Sequence, residues 1–299
     1  MKKQVEKIAK MLFQQQIFHL LFVFENVYYP ASDRIYFYLF ANNGEKMIGK
    51  DTEELPHVLT ETHFIRAHEC GVDGLLKLHV LLDYLQDIAA SHAELLNVGM
   101  SSLTRQGTLW VLSRLSLEID RYPACDEKII LKSYPSGISG LFATREYVMR
   151  DENDNILAKG TSFWLVLDAK TFRPVKAVDF LPENMPQNEN EERFFPDLGK
   201  IVKKEVVPQI LFTVRHGDID MNKHLNNAVF SRMIFDTLCK EKNSFLPVRK
   251  IQINFISSGE LGTEILFGSS ISPDGNFYLH GLSPDGKKIY IQAEGKVEL

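Results

Sequence analysis

Two stretches of the chain carry apolar residues at the three- and four-residue spacing of an amphipathic helix. The first stretch runs from Leu78 to about Leu96, and the second runs from about Asn227 to Lys240. Residues at this spacing share one face of an α-helix, so each stretch predicts a helix with one buried side. The chain is therefore predicted to contain two long helices, one in each half.

Short runs that favour β-structure surround each predicted helix. They are rich in β-branched and aromatic residues, and turn residues separate them. The runs are 62–66, 110–119, 128–134, 142–150 and 156–167 in the first half, and 212–215, 250–255, 264–270, 276–282 and 288–297 in the second. One long helix followed by a series of antiparallel strands is typical of the α+β class.

The order strand, loop, helix and four strands occurs twice, and single residues match between the two copies. The matched pairs include Arg66 with Arg215, Leu117 with Ile253, and Gly160 with Gly295. Because the matches keep their order along the chain, we predict two copies of one unit. A long helix wrapped by an antiparallel sheet is the hotdog fold, so the chain is predicted to be a double hotdog.

The predicted domain boundaries follow from this repeat and from composition. We expect a first hotdog over residues 59–180, a linker over 181–208 and a second hotdog over 209–299. The linker is rich in proline and acidic residues, which favours a connection over the surface. The repeat does not reach residues 1–58, an extension whose role the sequence leaves open. A short amphipathic helix over residues 5–13 is predicted within it.

Composition and charge exclude several classes of function. The net charge is −5 and no long basic run is present, so we expect no nucleic-acid partner. The three cysteines lack metal-binding and CxxC spacing, which favours free thiols in a reducing compartment and hence a cytoplasmic protein. Polar residues interrupt the apolar stretch 11–29, so we predict no membrane span.

Residues 215–227, immediately before the second helix, concentrate the residue types that hydrolytic catalysis uses. Asp220, Asn222 and His224 occupy alternate positions. Alternate side chains of an extended segment point to one side, so we expect these three to converge. A carboxylate, an amide and an imidazole beside a helix N-terminus can activate water and stabilise an oxyanion. The alternative is a polar loop that only caps the helix.

The two copies differ in this stretch. The first copy has Gly71, Asp73 and Leu75 in place of the triplet, so we predict one active site, in the second half. Asn226 or Asn227 would cap the second helix, and the backbone N–H groups of these two residues are our candidates for the oxyanion donors.

The ten residues from Asp218 to Asn227 resemble the active-site signature of the acyl-acyl-carrier-protein thioesterases, and an arginine precedes them as in that family. The similarity covers about residues 60–299. It implies a hydrolase of fatty acid biosynthesis that releases free fatty acid from fatty acyl-acyl carrier protein, with acyl carrier protein as its partner. Asp220, Asn222 and His224 would be the catalytic residues, and no metal or organic cofactor is implied. The sequence leaves the oligomeric state open, a homodimer included.

The chain departs from the family pattern at one position. The family usually carries a catalytic glutamate in the strand after the second helix, where this chain has Ser258. Glu260 lies two residues further on and would face the same side of a strand. A bulge near Gly259 could also bring it into register. We therefore expect Glu260, or otherwise Ser258, to complete the site.

The resemblance further implies that the first half shapes a pocket for the acyl chain. We expect an apolar tunnel under the first helix, and the predicted lining residues are Leu81, Leu82, Leu85, Ile88 and Trp110. Two alternatives remain. One is a hotdog thioesterase acting on acyl-coenzyme A, and the other is a non-catalytic acyl-binding protein, which the serine at position 258 motivates.

Two further points stay open in the sequence. Asp220 could polarise the imidazole of His224 or attack the thioester itself, so both a direct-water and a covalent route are compatible with the residues. Four lysines are candidates for a basic face towards the acidic carrier protein. They are Lys200, Lys203, Lys204 and Lys223.

Overall fold

The structure of the protein is a computed structural model that describes residues 55–186 and 188–299. The helix predicted over residues 5–13 lies outside the described residues. Among those described, none of the helices combines the length and the apolarity that crossing a membrane requires.

The described chain forms α-helices and strands in the predicted order. The helices are α1 (Leu78–Leu95), α2 (Met100–Arg105) and α3 (Asn227–Lys242). The strands of the first half are β1 (Leu59–Phe64), β2 (Thr108–Ile119), β3 (Lys128–Ser139), β4 (Phe142–Arg150), β5 (Ile156–Asp168) and β6 (Pro174–Val175). Those of the second half are β7 (Pro208–Thr213), β8 (Val248–Phe255), β9 (Glu264–Ile271), β10 (Asn276–Leu282) and β11 (Ile289–Val297). Short 3₁₀ turns occur at Ala67–Glu69, Ala177–Asp179 and His216–Asp218.

All of these strands belong to one antiparallel sheet. Its order is β1-β3-β4-β5-β2-β8-β11-β10-β9-β7, with β6 beside β5. The first half reads β1-β3-β4-β5-β2 and the second, read from its own edge, is β7-β9-β10-β11-β8, which is the same topology twice. β2 and β8 join the halves through pairs that run from Arg114–Asn254 to Glu118–Lys250. The double hotdog prediction is confirmed.

Hydrogen bonds at the strand ends correct one match between the copies. Leu157 O accepts two backbone N–H groups at the end of β2, and Tyr290 O accepts two at the end of β8. These two residues are therefore equivalent, and further along the same strands Gly160 is equivalent to Ala293. The match of Gly160 with Gly295 is wrong because it followed residue type, which does not set strand register.

Several local elements differ from the sequence prediction. β1 begins and ends earlier than the predicted run 62–66, β3 extends to Ser139, and β6 was not predicted. The helix α2 was not predicted, because six residues give too few turns for a hydrophobic period to appear. The strand before residues 215–227 is β7, which ends at Thr213 and therefore lies earlier in the chain than the predicted run 212–215. Val214 and Arg215 already lead into the 3₁₀ turn.

One hydrophobic core spans both halves. The helices α1 and α3 pack against each other and against the sheet, and the core includes Leu81 and Ile88 from α1 and Met233 and Ile234 from α3. A second, smaller cluster forms around Leu103 of α2. Because the two helices share the main core, the N-terminus of α3 is held beside the middle of α1.

The linker between the halves is fastened to the first-half sheet. The Tyr134 hydroxyl donates to Glu192 O over 2.6 Å, and Phe194 N donates to the Glu146 carboxylate over 3.3 Å. Leu198 is buried within the same segment. The segment is therefore anchored to the sheet at several points, where composition alone indicated only a surface connection.

Candidate active site

The predicted catalytic residues lie on a tight loop between the 3₁₀ turn His216–Asp218 and α3. Asp220 N donates to His224 O over 2.8 Å, which closes the loop. Lys223 adopts a φ of 64°, in the left-handed region. The segment is therefore not extended, and the prediction that alternation aligns the three side chains is wrong in its geometry.

The Asp220 carboxylate is the centre of this loop. Its Oδ1 accepts the backbone N–H of Asn222 over 2.8 Å and that of His224 over 3.1 Å. The Asn222 side-chain amide also lies 3.5 Å from Oδ2. Asp220 thus brings the other two residues together through their main chain. No hydrogen bond joins its carboxylate to the His224 ring in the part of the chain that the structure describes.

The first half contains the same loop without the triplet. Gly71 N donates to Leu75 O over 2.8 Å, which matches the closing bond of the second loop. Gly74 has a φ of 75°, as Lys223 does at the equivalent position with 64°. Here Asp73 Oδ1 accepts Leu75 N over 3.1 Å, so the loop-holding carboxylate sits two positions later than in the second half. The scaffold is repeated, and the amide and imidazole are particular to the second copy.

The N-terminus of α3 offers one of the two predicted oxyanion donors. The Asn226 side chain caps the helix by accepting Ala228 N over 2.9 Å. The backbone N–H of Asn226 donates to Asp218 O over 2.9 Å, so this donor is occupied and the prediction for it is wrong. The Asn227 N–H is the first of the helix, where backbone donors lack an intrahelical partner and the helix dipole favours negative charge.

Gln86, in the middle of α1, connects this N-terminus to the first half. Its Nε2 donates to Asn226 Oδ1 over 3.2 Å, and its Oε1 accepts the Asn227 side-chain amide over 3.3 Å. Gln86 is not among the residues predicted from the sequence. The available signal was its place on the helix, because Gln86 follows Leu82 and Leu85 at the edge of the apolar stripe.

Neither candidate for the supporting residue lies on a strand. β8 ends at Phe255, and both Ser258 and Glu260 are exposed on the loop that follows. This loop lies against the loop that carries Asp220, Asn222 and His224, since Gly259 O accepts Leu225 N over 2.7 Å. Within the described residues, however, neither the Ser258 hydroxyl nor the Glu260 carboxylate hydrogen-bonds to that loop. The strand geometry expected for Glu260 is wrong because the strand ends too early.

A narrow pocket lies between α1, the first-half sheet and the start of α3. It encloses about 10 Å³ of space open to water, roughly the room that one water molecule needs. Asn227 is the lining residue that comes from the second half. The others are Leu82, Leu85, Gln86, Leu112, Leu115, Tyr147, Ser162 and Trp164.

The predicted acyl-binding residues lie in three places. Leu82 and Leu85 line the pocket, whereas Leu81 and Ile88 face the main core and are 1% and 0% exposed. Trp110 lies elsewhere, in the smaller cluster, and its indole N–H donates to Val98 O over 2.8 Å. The helix α2, which the sequence did not predict, contributes to that cluster and covers this end of β2.

The helix–helix contact also holds two titratable groups whose pKa values are shifted. Burial and the neighbouring Asp87 raise the pKa of Asp83 to about 6, although a hydrogen bond with the Asn226 side chain lowers it in part. Burial, with the charges of Lys77 and Arg232, lowers the pKa of His79 to about 4. At neutral pH the contact therefore holds an ionised carboxylate and a neutral imidazole.

Comparisons with known proteins agree with the sequence resemblance. The family model described as the Acyl-ACP thioesterase N-terminal domain matches residues 56–183, and the model of the Acyl-ACP thioesterase C-terminal domain matches residues 202–284. Together the two matches cover more than half of the chain.

Among curated proteins, the chain is 25% identical over 201 residues to the chloroplastic oleoyl-acyl carrier protein thioesterase of Coriandrum sativum, covering 60% of this chain and 54% of that protein. It is 25% identical over 205 residues to the chloroplastic dodecanoyl-[acyl-carrier-protein] hydrolase of Cinnamomum camphora, covering 61% and 52%. The chain thus spans about half the length of the curated relatives it matches.

Among solved structures, an acyl-ACP thioesterase from Bacteroides thetaiotaomicron superposes with a TM-score of 0.71 at 21% identity, covering 81% of this chain and 98% of that one. The 12:0-ACP thioesterase from Umbellularia californica gives a TM-score of 0.66 at 16% identity, with the same coverage. These similarities establish the fold.

Proposed function

The chain belongs to the acyl-ACP thioesterase family, and from this premise we propose that it hydrolyses fatty acyl thioesters of acyl carrier protein to free fatty acid. One observation carries the proposal. Asn227, the first residue of α3, lines a pocket whose other lining residues, Leu82 and Leu85 among them, come from the first half. An acyl chain held there would bring its thioester to the N-terminus of α3, next to the loop that carries His224.

The two halves divide the work in this proposal. The first hotdog, residues 59–180, shapes the acyl pocket, and the second, residues 209–299, supplies the catalytic loop. The pocket as it stands has room for about one water molecule. Substrate binding therefore requires its apolar side chains to move apart.

His224 is the general base in the reaction that we propose. Its half-buried imidazole takes a proton from a water molecule, and the oxygen of that water attacks the thioester carbonyl carbon. The resulting oxyanion is stabilised by the free N–H of Asn227 at the positive end of α3. The carbon–sulfur bond then breaks, and the imidazolium returns the proton to the leaving thiolate.

Asp220 holds the loop and is not the nucleophile in this proposal. Its Oδ1 accepts the N–H groups of both Asn222 and His224, so the carboxylate already has a structural role in placing the proposed base. This favours the direct-water route. Asn222 is exposed at the loop tip, where its amide can orient the thioester or the attacking water.

The partner in the proposal is the acidic acyl carrier protein. Lys223 is exposed on the catalytic loop itself and is the best placed of the four candidate lysines. The ammonium of Lys203 lies 4.0 Å from the Glu205 carboxylate, and that of Lys204 lies 3.6 Å from the Glu294 carboxylate. The charges of these two lysines are therefore already offset. Cys70, Cys125 and Cys239 are free thiols, and we therefore place the protein in a reducing compartment, the cytoplasm.

The substrate class can be tested by comparing carriers. The same acyl chain, from about eight to eighteen carbons long, is presented on acyl carrier protein and on coenzyme A, and fatty acid release is measured. We expect kcat/KM to be at least about tenfold higher on the carrier protein, because charged surfaces accelerate encounter. Equal turnover would support the acyl-coenzyme A alternative. Binding of the acyl chain without cleavage would support the non-catalytic one.

A further inference from the structure

Gln86 lies where the acyl pocket meets the start of α3. It is half-buried in the middle of α1 and lines the pocket together with Leu82 and Leu85 of the same helix. Asn227, the first residue of α3, lines the same pocket. A side chain at this place can therefore touch both a bound acyl chain and the helix end that carries the proposed oxyanion donor.

The carboxamide of Gln86 is used on both sides, once as a donor and once as an acceptor. Its Nε2 donates to Asn226 Oδ1 over 3.2 Å, and its Oε1 accepts the side-chain amide of Asn227 over 3.3 Å. Turning the Gln86 amide over would set two N–H groups against each other at Asn227 and two oxygens against each other at Asn226. The two bonds together therefore fix the orientation of the Gln86 amide.

The equivalent place in the other copy is apolar. The two helices begin at equivalent positions after the repeated loop, so the first residue of α1, Leu78, corresponds to Asn227. Counted from the same start, Phe235 of α3 corresponds to Gln86. Leu78 and Phe235 both belong to the main hydrophobic core. A half-buried amide is costly unless it is hydrogen-bonded, so packing alone does not account for the glutamine.

The other polar groups of the pocket wall stay within the first half. The Ser162 hydroxyl accepts the Trp164 indole N–H over 2.7 Å and lies 3.0 Å from the Tyr147 hydroxyl, and all three residues belong to β4 and β5. Among the described residues that line the pocket, a hydrogen bond between the halves joins only Gln86 and Asn227. Gln86 is thus the polar link from the pocket wall to α3.

An oxyanion donor has a particular need for such a link. Its N–H must stay free until the substrate arrives, so a hydrogen bond of the donor itself cannot fix where it lies. For Asn227 the remaining handle is its side chain, which Gln86 holds. Position matters here, because a misplacement of about 1 Å can lower a rate about a hundredfold.

Resting on the proposed function, we propose that Gln86 is a positioning residue of the active site. It orients the first turn of α3 through Asn226 and Asn227, so that the free N–H of Asn227 faces the thioester of an acyl chain that lies in the pocket. It does not touch the reacting atoms. The first half thus supplies the acyl pocket and also places the oxyanion donor of the second half.

The test includes a ligand that mimics the oxyanion, so that one measurement does not depend on turnover. An alkyl trifluoromethyl ketone adds water to form a tetrahedral hydrate, which resembles the intermediate of hydrolysis. The methyl ketone with the same alkyl chain stays planar and resembles the ground state. Dissociation constants of both ketones are measured by calorimetry, and kcat and KM are measured with acyl-acyl carrier protein.

Three variants and one control are compared with wild type. Gln86→Met removes both hydrogen bonds and keeps a side chain of similar length. Asn227→Leu removes the partner side chain and keeps the backbone N–H, and the third variant combines the two changes. The control is Tyr84→Phe, which removes a different hydrogen bond of α1, the one from the Tyr84 hydroxyl to Glu69 Oε1 at 2.9 Å.

We expect Gln86→Met to lower kcat about tenfold to a hundredfold with KM changed less than about threefold, because the donor is misplaced while the acyl chain is still bound. Affinity for the trifluoromethyl ketone should fall by a similar factor, and affinity for the methyl ketone should change less than about threefold. Asn227→Leu should also lose the preference for the trifluoromethyl ketone. Adding it to Gln86→Met should lower kcat less than about twofold further. Tyr84→Phe should stay within about twofold of wild type throughout.

Two outcomes overturn the inference. One is that Gln86→Met weakens both ketones equally, which would mean that Gln86 only shapes the pocket. The other is that the effects of Gln86→Met and Asn227→Leu on kcat multiply in the combined variant.

The proposed function fails separately from the inference. If wild type prefers the trifluoromethyl ketone and Gln86→Met loses this preference, but wild type cleaves no thioester, the positioning stands and the activity does not. If wild type is active and Gln86→Met keeps its kcat and its ketone preference, the activity stands and the positioning does not.

Discussion

Asp220 Oδ1 accepts the backbone N–H of His224 over 3.1 Å. The carboxylate therefore fixes where the histidine sits through its main chain, and not through its ring. The first-half loop uses Asp73 for the same purpose, on Leu75 N at 3.1 Å. The two aspartates hold equivalent loops, of which only the second carries an imidazole.

Substitution of the two loop-holding aspartates, Asp220 and Asp73, should separate an effect on stability from an effect on catalysis. Asp220→Ala and Asp73→Ala each remove a loop-holding acceptor, so each should lower the free energy of unfolding by about 1 kcal/mol. Asp220→Ala should also lower kcat at least about a hundredfold, because His224 loses its position. Asp73→Ala should leave kcat within about twofold. Urea unfolding and turnover of the two variants check this, and equal kcat values in both would contradict it.

The two tryptophans should respond differently to the same substitution. Trp164 lines the pocket and donates to Ser162 Oγ over 2.7 Å, so Trp164→Phe enlarges the pocket and should shift turnover towards longer acyl chains. Trp110→Phe loses the bond to Val98 O and should cost about 1 kcal/mol of stability without such a shift. A chain-length profile of each variant is the measurement. A shift caused by Trp110→Phe alone would show that the acyl chain lies elsewhere.

His92 contributes a loss of stability in mild acid. It is fully buried; its Nε2 lies 2.9 Å from Pro56 O and its Nδ1 lies 3.1 Å from Arg145 Nη1. A carbonyl only accepts and a guanidinium only donates, so the ring is neutral with its proton on Nε2. Burial and the charge of Arg145 lower its pKa to about 4.

The direction of this pH dependence follows from the difference in the pKa of His92 between the folded and unfolded states. A histidine has a pKa of about 6.5 in the unfolded chain, so between pH 6.5 and 4 the unfolded state binds more protons and stability falls as pH falls. His92→Gln should make the urea midpoint less dependent on pH across this window. The exposed His68→Gln should leave the dependence as in wild type. The same slope in all three proteins would contradict the prediction.

Asp83 contributes to the pH dependence of stability in the opposite direction to His92. Its pKa is raised from 3.8 to about 6, so the folded state binds more protons between these values, and stability falls as pH rises through about 6. Asp83→Asn removes the charge and should raise the melting temperature at pH 8, on the order of 2 °C. No difference is expected below about pH 3.8. A lower melting temperature at pH 8 would mean that the carboxylate stabilises the fold.

The elements that the sequence predicts correctly are those with a local hydrophobic pattern. The leucine stripe of α1 predicts its start at Leu78, and β4 occupies the run predicted for it, residues 142–150. Hydrophobic spacing indicates which side of an element is buried, so it is enough to predict the helices and the strands. Their repetition in turn predicts the double hotdog.

The geometry of the site was harder to predict from the sequence. The left-handed conformation of Lys223 and the bonds from Asp220 are set by the closed loop, and alternation suggested an extended segment in their place. Gln86 reaches Asn226 only because two helices distant in sequence pack together. Such contacts leave no periodic signal in the sequence. The residue types of the site could therefore be predicted from the sequence, and their hydrogen-bond partners could not.

The most direct measurement is single-turnover release of fatty acid from acyl-acyl carrier protein by wild type, His224→Gln and His68→Gln. His224→Gln keeps a polar side chain of similar size and removes the proposed base, so its cleavage rate should fall at least about a hundredfold while acyl binding is retained. His68→Gln, on an exposed turn of the first half, should cleave as wild type does. Unchanged cleavage by His224→Gln would contradict the account.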